Sequence, residues 1–149
     1  MVQKVAKNDI GIIADLAVLM WTEPSVDDLA AEFSGLLSKE DAQIFLKYED
    51  EVPVGFAQYQ LRHDYVEGTE TTPVGYLEGI FVKEHCRNKG YAKELLNECE
   101  TWAREKGCQE FASDCEIGND GSFQFHKVMN FKEANRIIDR LYCNSDYIL

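Results

Sequence analysis

Six consecutive residues, Arg87-Asn88-Lys89-Gly90-Tyr91-Ala92, constrain this chain more than any others. A strand-like run, Val74 to Val82, leads into them. A helix-like run with Tyr91, Leu95, Cys99, Trp102 and Ala103 at helical spacing leads out, continuing to about Lys106. Gly107 then offers a natural helix end. A chain that leaves a strand, turns through a glycine and enters a helix lines up free backbone N–H groups at the positive end of the helix dipole. That is a cradle for phosphate oxygens, and Arg87 and Lys89 add two cations at its mouth. The alternative reading is an ordinary strand-turn-helix connection.

The rest of the chain alternates in the same manner. Residues 3–6 read as a short first strand, followed by a helix from Asp9 to about Met20 capped by Asn8. Ser25 with Asp28 resembles a capping box for a second helix that points Val26, Leu29, Phe33 and Leu36 inward. Residues 43–49 and 54–63 read as strands around the turn Asp50-Glu51-Val52-Pro53, and a polar stretch, 64–73, separates them from the strand at 74–82. Downstream, 109–114 read as a strand, 120–129 as a helix ended by Asn130 in the left-handed conformation, and 131–142 as a final strand or two. The class is α/β (α+β): three layers around one mixed sheet, mostly antiparallel, with helices on both faces.

At 149 residues the chain fits one domain with a real core. No apolar run approaches the roughly 20 residues that span a bilayer, and the N-terminus lacks a secretory signal, so a cytoplasmic protein is expected. Five cysteines without a Cys-x-x-Cys pair argue against a disulfide framework, and three scattered histidines argue against a metal site. A formal net charge of −12 disfavours nucleic acid as a partner. It suits plain solubility or a polycationic substrate, and charge alone does not choose between them.

The loop in its context, with the downstream segment Asn119 … Phe125-His126 … Phe131, resembles the GNAT superfamily of acetyl-CoA-dependent N-acetyltransferases over most of the chain. The resemblance implies that the amides of Arg87, Asn88, Lys89, Gly90, Tyr91 and Ala92 hold the pyrophosphate of coenzyme A. It also implies that Ile80, Phe81 and Val82 offer main chain to the pantetheine arm and thioester, and that Asn119 hydrogen-bonds the cofactor. His126 stands where this family often has a tyrosine that protonates the departing thiolate; it could do the same or simply bind the cofactor. Asn130 stands where the family has glycine.

A narrower resemblance, to aminoglycoside 6′-N-acetyltransferases, rests on residues 65–82, on Glu110-Phe111-Ala112-Ser113-Asp114 and on Leu19-Met20-Trp21. It implies that Trp21, Tyr65, Glu78 and Asp114 line the antibiotic site, with Asn135 at a position that is often acidic in such enzymes. Glu78 would neutralise the substrate amine or relay its proton, Asp114 would pair with a second ammonium, and the rings of Tyr65 and Trp21 would face the sugars. Glu67 and Glu70 would order the loop or a dimer contact. A homodimer is implied, with the C-terminal strand or the 64–73 loop at the interface. The rival readings are an acetyltransferase for a polyamine or protein amine, and a non-catalytic acyl-CoA-binding sensor.

Overall fold

The computed structural model describes residues 1–116, 119–138 and 143–148, and of residues 116, 135–138 and 143–148 the backbone only. The elements run β1 (Val2–Lys4), α1 (Ile10–Ala17), α2 (Val26–Leu37), β2 (Ala42–Glu49), β3 (Val52–Arg62), β4 (Val74–Val82), α3 (Tyr91–Glu105), β5 (Phe111–Glu116), α4 (Asp120–Val128), β6 (Lys132–Ile138) and β7 (Cys143–Ile148). One seven-stranded sheet has the order β1-β2-β3-β4-β5-β7-β6. Every neighbouring pair is antiparallel except β4 and β5, which run parallel because α3 carries the chain across. The expected class is the observed one: a mixed, mostly antiparallel sheet with helices on both faces.

Each face of the sheet covers its own core. On one side Leu95, Cys99, Trp102 and Ala103 of α3 pack on Phe45, Ala57, Tyr59 and Leu77. On the other, Ile13, Leu16 and Ala17 of α1 and Leu29 and Phe33 of α2 pack on Ile44, Leu46 and Phe56. Alternate residues of β2 and β3 thus serve opposite helices, which requires the strands to be apolar on both faces. The Tyr59 hydroxyl is buried and, among the described residues, has no hydrogen-bond partner. Tyr59→Phe is therefore expected to stabilise the fold by about 1–2 kcal/mol, seen as a higher denaturant midpoint at constant slope. A lower midpoint would show that the hydroxyl is satisfied.

Local chemistry explains the boundaries. Ser25 and Asp28 form the capping box expected of α2, with Asp28 N–H donating to Ser25 Oγ at 3.1 Å and Ser25 N–H to Asp28 Oδ2 at 3.3 Å. The first helix differs from expectation. Asn8 lies inside a 3₁₀ turn, Lys7–Asp9, and it is Asp9 that turns back, accepting from the Ala6 N–H at 2.9 Å. That helix stops at Ala17, whose carbonyl takes the amides of both Met20 and Trp21 and so closes a tight end that brings Trp21 over the sheet. Asp50 and Glu51 both have positive φ, 49° and 67°, so they alone make the β2–β3 turn and Val52 and Pro53 join β3. Asn130 does adopt the left-handed conformation, at φ 69°.

Candidate active site

The site originates in a break in strand pairing. Gln58 pairs with Gly79 and the next residue, Tyr59, with Leu77, so Glu78 is an extra residue bulged out of β4. The parallel ladder between β4 and β5 covers only Gly75, Tyr76 and Leu77 opposite Phe111, Ala112 and Ser113. Beyond those pairs the strands part. A cavity of about 470 Å³ lies there, lined among others by Trp21, Glu78, Ile80, Asp114, Asn119 and His126. One opening thus gathers six of the residues expected at the site, drawn from three elements and two loops.

The loop expected to take phosphate follows from β4. Asn88 and Gly90 both have positive φ, 65° and 83°, and a Cβ added at Gly90 would meet nothing within 4 Å. The first bond of α3 runs from the Glu94 amide to the Gly90 carbonyl at 3.1 Å, so the amides of Tyr91, Ala92 and Lys93 precede it. The side chains are tied down. Arg87 Nε donates to the Val82 carbonyl at 2.9 Å, and its guanidinium lies over the Phe81 ring. Lys89 Nζ donates to Glu49 Oε2 at 3.0 Å, and the Tyr91 hydroxyl donates to the same oxygen. These two donors hold the Glu49 carboxyl below its ordinary pKa. Nothing in the sequence pointed to Glu49, which sits 40 residues away at the end of β2.

The two expected carboxylates are linked. Arg62, the last residue of β3, grips Glu78 with Nε and Nη2 on Oε1 at 3.1 and 2.8 Å and Nη2 on Oε2 at 3.1 Å. Its guanidinium lies 3.4 Å from the centre of the Tyr76 ring. The Tyr76 hydroxyl in turn donates to Asp114 Oδ2 at 2.9 Å. Burial pushes the Glu78 carboxyl up, Arg62 pulls it down and Asp114 pushes it up again, with a net upward shift. Arg62 carried no recognisable motif, being one residue of an ordinary strand pattern, and Tyr76 lies within the 65–82 segment but with no role implied for it.

His126 is buried, at 2% exposure, on the cavity side of α4. Its Nδ1 lies 2.7 Å from the Ser122 carbonyl oxygen, which only accepts, so Nδ1 carries the hydrogen. Its Nε2 then accepts from the Ser113 hydroxyl at 2.8 Å. Burial lowers its pKa, which keeps the ring neutral at pH 7. Asn119 caps α4, its Oδ1 accepting from the Ser122 amide at 3.1 Å. Trp21 is half-buried: its ring packs on Phe33 and Phe56 and faces Gly79, where an added Cβ would lie 2.8 Å from it. It is at once a core residue and a wall of the cavity.

Tyr65 is placed apart. It is 76% exposed and lines a separate groove with Arg62, His63 and Asp64. The 64–73 loop to which it belongs is held by Glu110, which accepts from the amides of Glu70 and Thr71 at 2.8 and 2.7 Å. Asn135 lies on β6 opposite Asp146; its side chain is outside the described residues.

The acetyltransferase (GNAT) family profile matches residues 11–131, which span α1, the splayed strands, the loop and α4. The chain belongs to that family. Among sequence relatives, the aminoglycoside N(6′)-acetyltransferase type 1 of Serratia marcescens is 36% identical over 83% of this chain and 85% of its own. That of Salmonella typhimurium is 37% identical over 80% and 82%. Among solved structures, aminoglycoside N-acetyltransferase AAC(6′)-Iy in complex with CoA superposes with a TM-score of 0.90 at 33% identity, covering 93% of this chain and 91% of that one. The same enzyme with the bisubstrate analogue CoA-S-monomethyl-acetylneamine gives 0.89 at 33% identity, covering 93% and 95%.

Acetyl-CoA is the co-substrate of this GNAT enzyme, and the residues fit it. The amides ahead of the first α3 bond and the open space at Gly90 suit the pyrophosphate. The parted edge of β4 suits an extended arm that hydrogen-bonds like a strand. When bound, acetyl-CoA supplies the activated acetyl group. Among the described residues no helix is long and apolar enough to cross a membrane.

Proposed function

We propose that this chain transfers acetyl from acetyl-CoA to the 6′-amine of an aminoglycoside by direct attack, and so confers resistance to such antibiotics. The observation that carries the reading is the pair of carboxylates on adjoining strands, Glu78 and Asp114, lining the same opening as the cofactor-facing Ile80. An aminoglycoside carries several ammonium groups, and two carboxylates can seat two of them while the chain's net charge of −12 draws the polycation in. An alkyl ammonium has a pKa near ~10, so the attacking amine must first lose a proton. Glu78 accepts that proton directly or through water, and Asp114 orients the acceptor. The amides near Ile80 and Phe81 stabilise the oxyanion.

His126 joins the set through Ser113. As a neutral imidazole it can take through Ser113 the second proton, which the nitrogen sheds after attack, and return it by the same route to the departing sulfur, while the ammonium's first proton leaves by Glu78. Trp21 offers a ring face to the sugars, and Tyr65 closes over a longer acceptor from the neighbouring groove. Asn135, on β6, is a further substrate contact. Arg87, Asn88, Lys89, Gly90, Tyr91, Ala92 and Asn119, with Ile80, Phe81 and Val82, hold acetyl-CoA. The reading also includes a single domain over 1–149, a cytoplasmic location and a homodimer. The buried thiols of Cys86, Cys99 and Cys108, all free, support a reducing compartment.

The test is thiol release from acetyl-CoA with kanamycin or tobramycin as acceptor. Turnover with a polyamine or peptide, and none with any 6′-amino aminoglycoside, would make the protein an acetyltransferase of polyamines or protein amines instead. Binding without any turnover would make the protein a sensor. Glu49→Ala is expected to raise the KM for acetyl-CoA by about tenfold with kcat nearly unchanged, because Lys89 and Tyr91 lose their shared anchor. An unchanged KM would separate Glu49 from the cofactor loop.

A further inference from the structure

We propose that Arg62 is a positioning residue for the acceptor: it aligns Glu78 toward the cavity and ties it through Tyr76 to Asp114, so that the two carboxylates meet a polycation as one pre-set pair. This rests on the aminoglycoside reading and names a residue which that reading did not include.

The geometry is more than a neighbouring-strand ion pair. Arg62 pairs across the sheet with Val74, whereas Glu78 lies four residues further along β4 and on the bulge. The side chain must therefore run over the ring of Tyr76 to reach it, and the 3.4 Å stacking distance shows that it does. Three donor contacts fix both carboxylate oxygens. An ionised carboxylate has roughly four acceptor positions, and only one contact falls on Oε2, so capacity remains there for an ammonium. The same ring that supports Arg62 donates its hydroxyl to Asp114. One guanidinium and one phenol thus set the orientation of both anions. Arg62 also lines the groove that holds Tyr65, so its grip on Glu78 links the linings of the two recesses.

Charge supplies a second reason. Glu78 is partly buried, with 22% of its side chain exposed, and Asp114 repels its anion. Arg62 on β3 and Asp114 on β5 are the charged groups that act on it from the neighbouring strands, and Arg62 is the cation. Without it, desolvation and repulsion both favour the protonated acid, which neither attracts an ammonium nor accepts its proton. A lysine would restore the charge without the planar fork.

The experiment is the pH dependence of kcat/KM for kanamycin in wild type, Arg62→Gln and Arg62→Lys, with the KM for acetyl-CoA measured alongside. The expected result is an acid limb displaced to higher pH in Arg62→Gln, a kcat/KM lower by roughly tenfold or more near neutrality, and an unchanged acetyl-CoA KM. Arg62→Lys should bring the limb back while restoring the rate only in part. A wild-type limb in an active Arg62→Gln overturns the proposal and leaves the aminoglycoside reading standing. A rate loss with no displaced limb, or with an equal loss of acetyl-CoA affinity, overturns it as a merely structural effect. An inactive wild type removes both.

Discussion

Glu78→Gln is expected to lower kcat/KM for the acceptor amine by about 10²–10³-fold, with the KM for acetyl-CoA within a factor of about two. Two losses combine. The amide no longer accepts the amine's proton, and it cannot neutralise Arg62, so a cation is left facing the seat meant for another cation. Glutamine keeps the volume, so the bulge at residue 78 and the pairing of Leu77 and Gly79 should survive. Asp114→Asn should cost less, since its remaining carbonyl oxygen still accepts the Tyr76 hydroxyl. Glu67→Gln, whose partner is the exposed Tyr65 hydroxyl at 3.4 Å, is the control and should stay within about twofold of wild type. Equal losses at 67 and 78 would remove the carboxylate from the chemistry.

Phe56→Ala should cost about 3–5 kcal/mol of stability. The ring is fully buried, at 0% exposure, and lies 5.9 Å from Trp21, 6.4 Å from Phe33 and 6.3 Å from Phe81. Edge and tilted contacts of this kind add to the burial itself. The truncation reaches the site as well, because Trp21 rests on Phe56 and Phe33 while forming the cavity wall against Gly79. Denaturant melts should show a lower midpoint at similar slope, and acceptor KM should rise more than acetyl-CoA KM. A loss under about 1 kcal/mol would mean the α1–α2 core closes over the gap, contrary to its packing.

Much of this was legible in the residues themselves. The strand-turn-helix at 74–106 was, because an apolar run, a glycine and a helical period coincide there, and β4, the Gly90 turn and α3 stand at those places. The capping box at Ser25 was legible for the same reason: its signal is local. What escaped notice joins residues far apart in the chain. Glu49 reaches Lys89 across 40 positions, Arg62 reaches Glu78 across 16, and Glu110 holds the amide of Glu70 across 40. Each is a surface-type charge on a strand end or loop, and its partner is set by the tertiary fold rather than by any local pattern. The bulge at Glu78 is equally silent, since a one-residue register shift changes no residue type. The buried bond from Ser113 to His126 follows from how α4 settles on β5, which no local pattern records.

The short seam between β4 and β5 has a thermodynamic consequence. Three residue pairs join β1–β4 to β5–β7, so the sheet is two ribbons stitched near one end. An extended molecule lying along the parted edge of β4 acts as additional stitching between them. Part of the resistance to unfolding then resides in the small molecule rather than the polypeptide. It grows with the logarithm of ligand concentration, reaching about 2.7 kcal/mol at a hundred times Kd. The melting temperature of this enzyme is accordingly a property of its metabolic surroundings as much as of its chain.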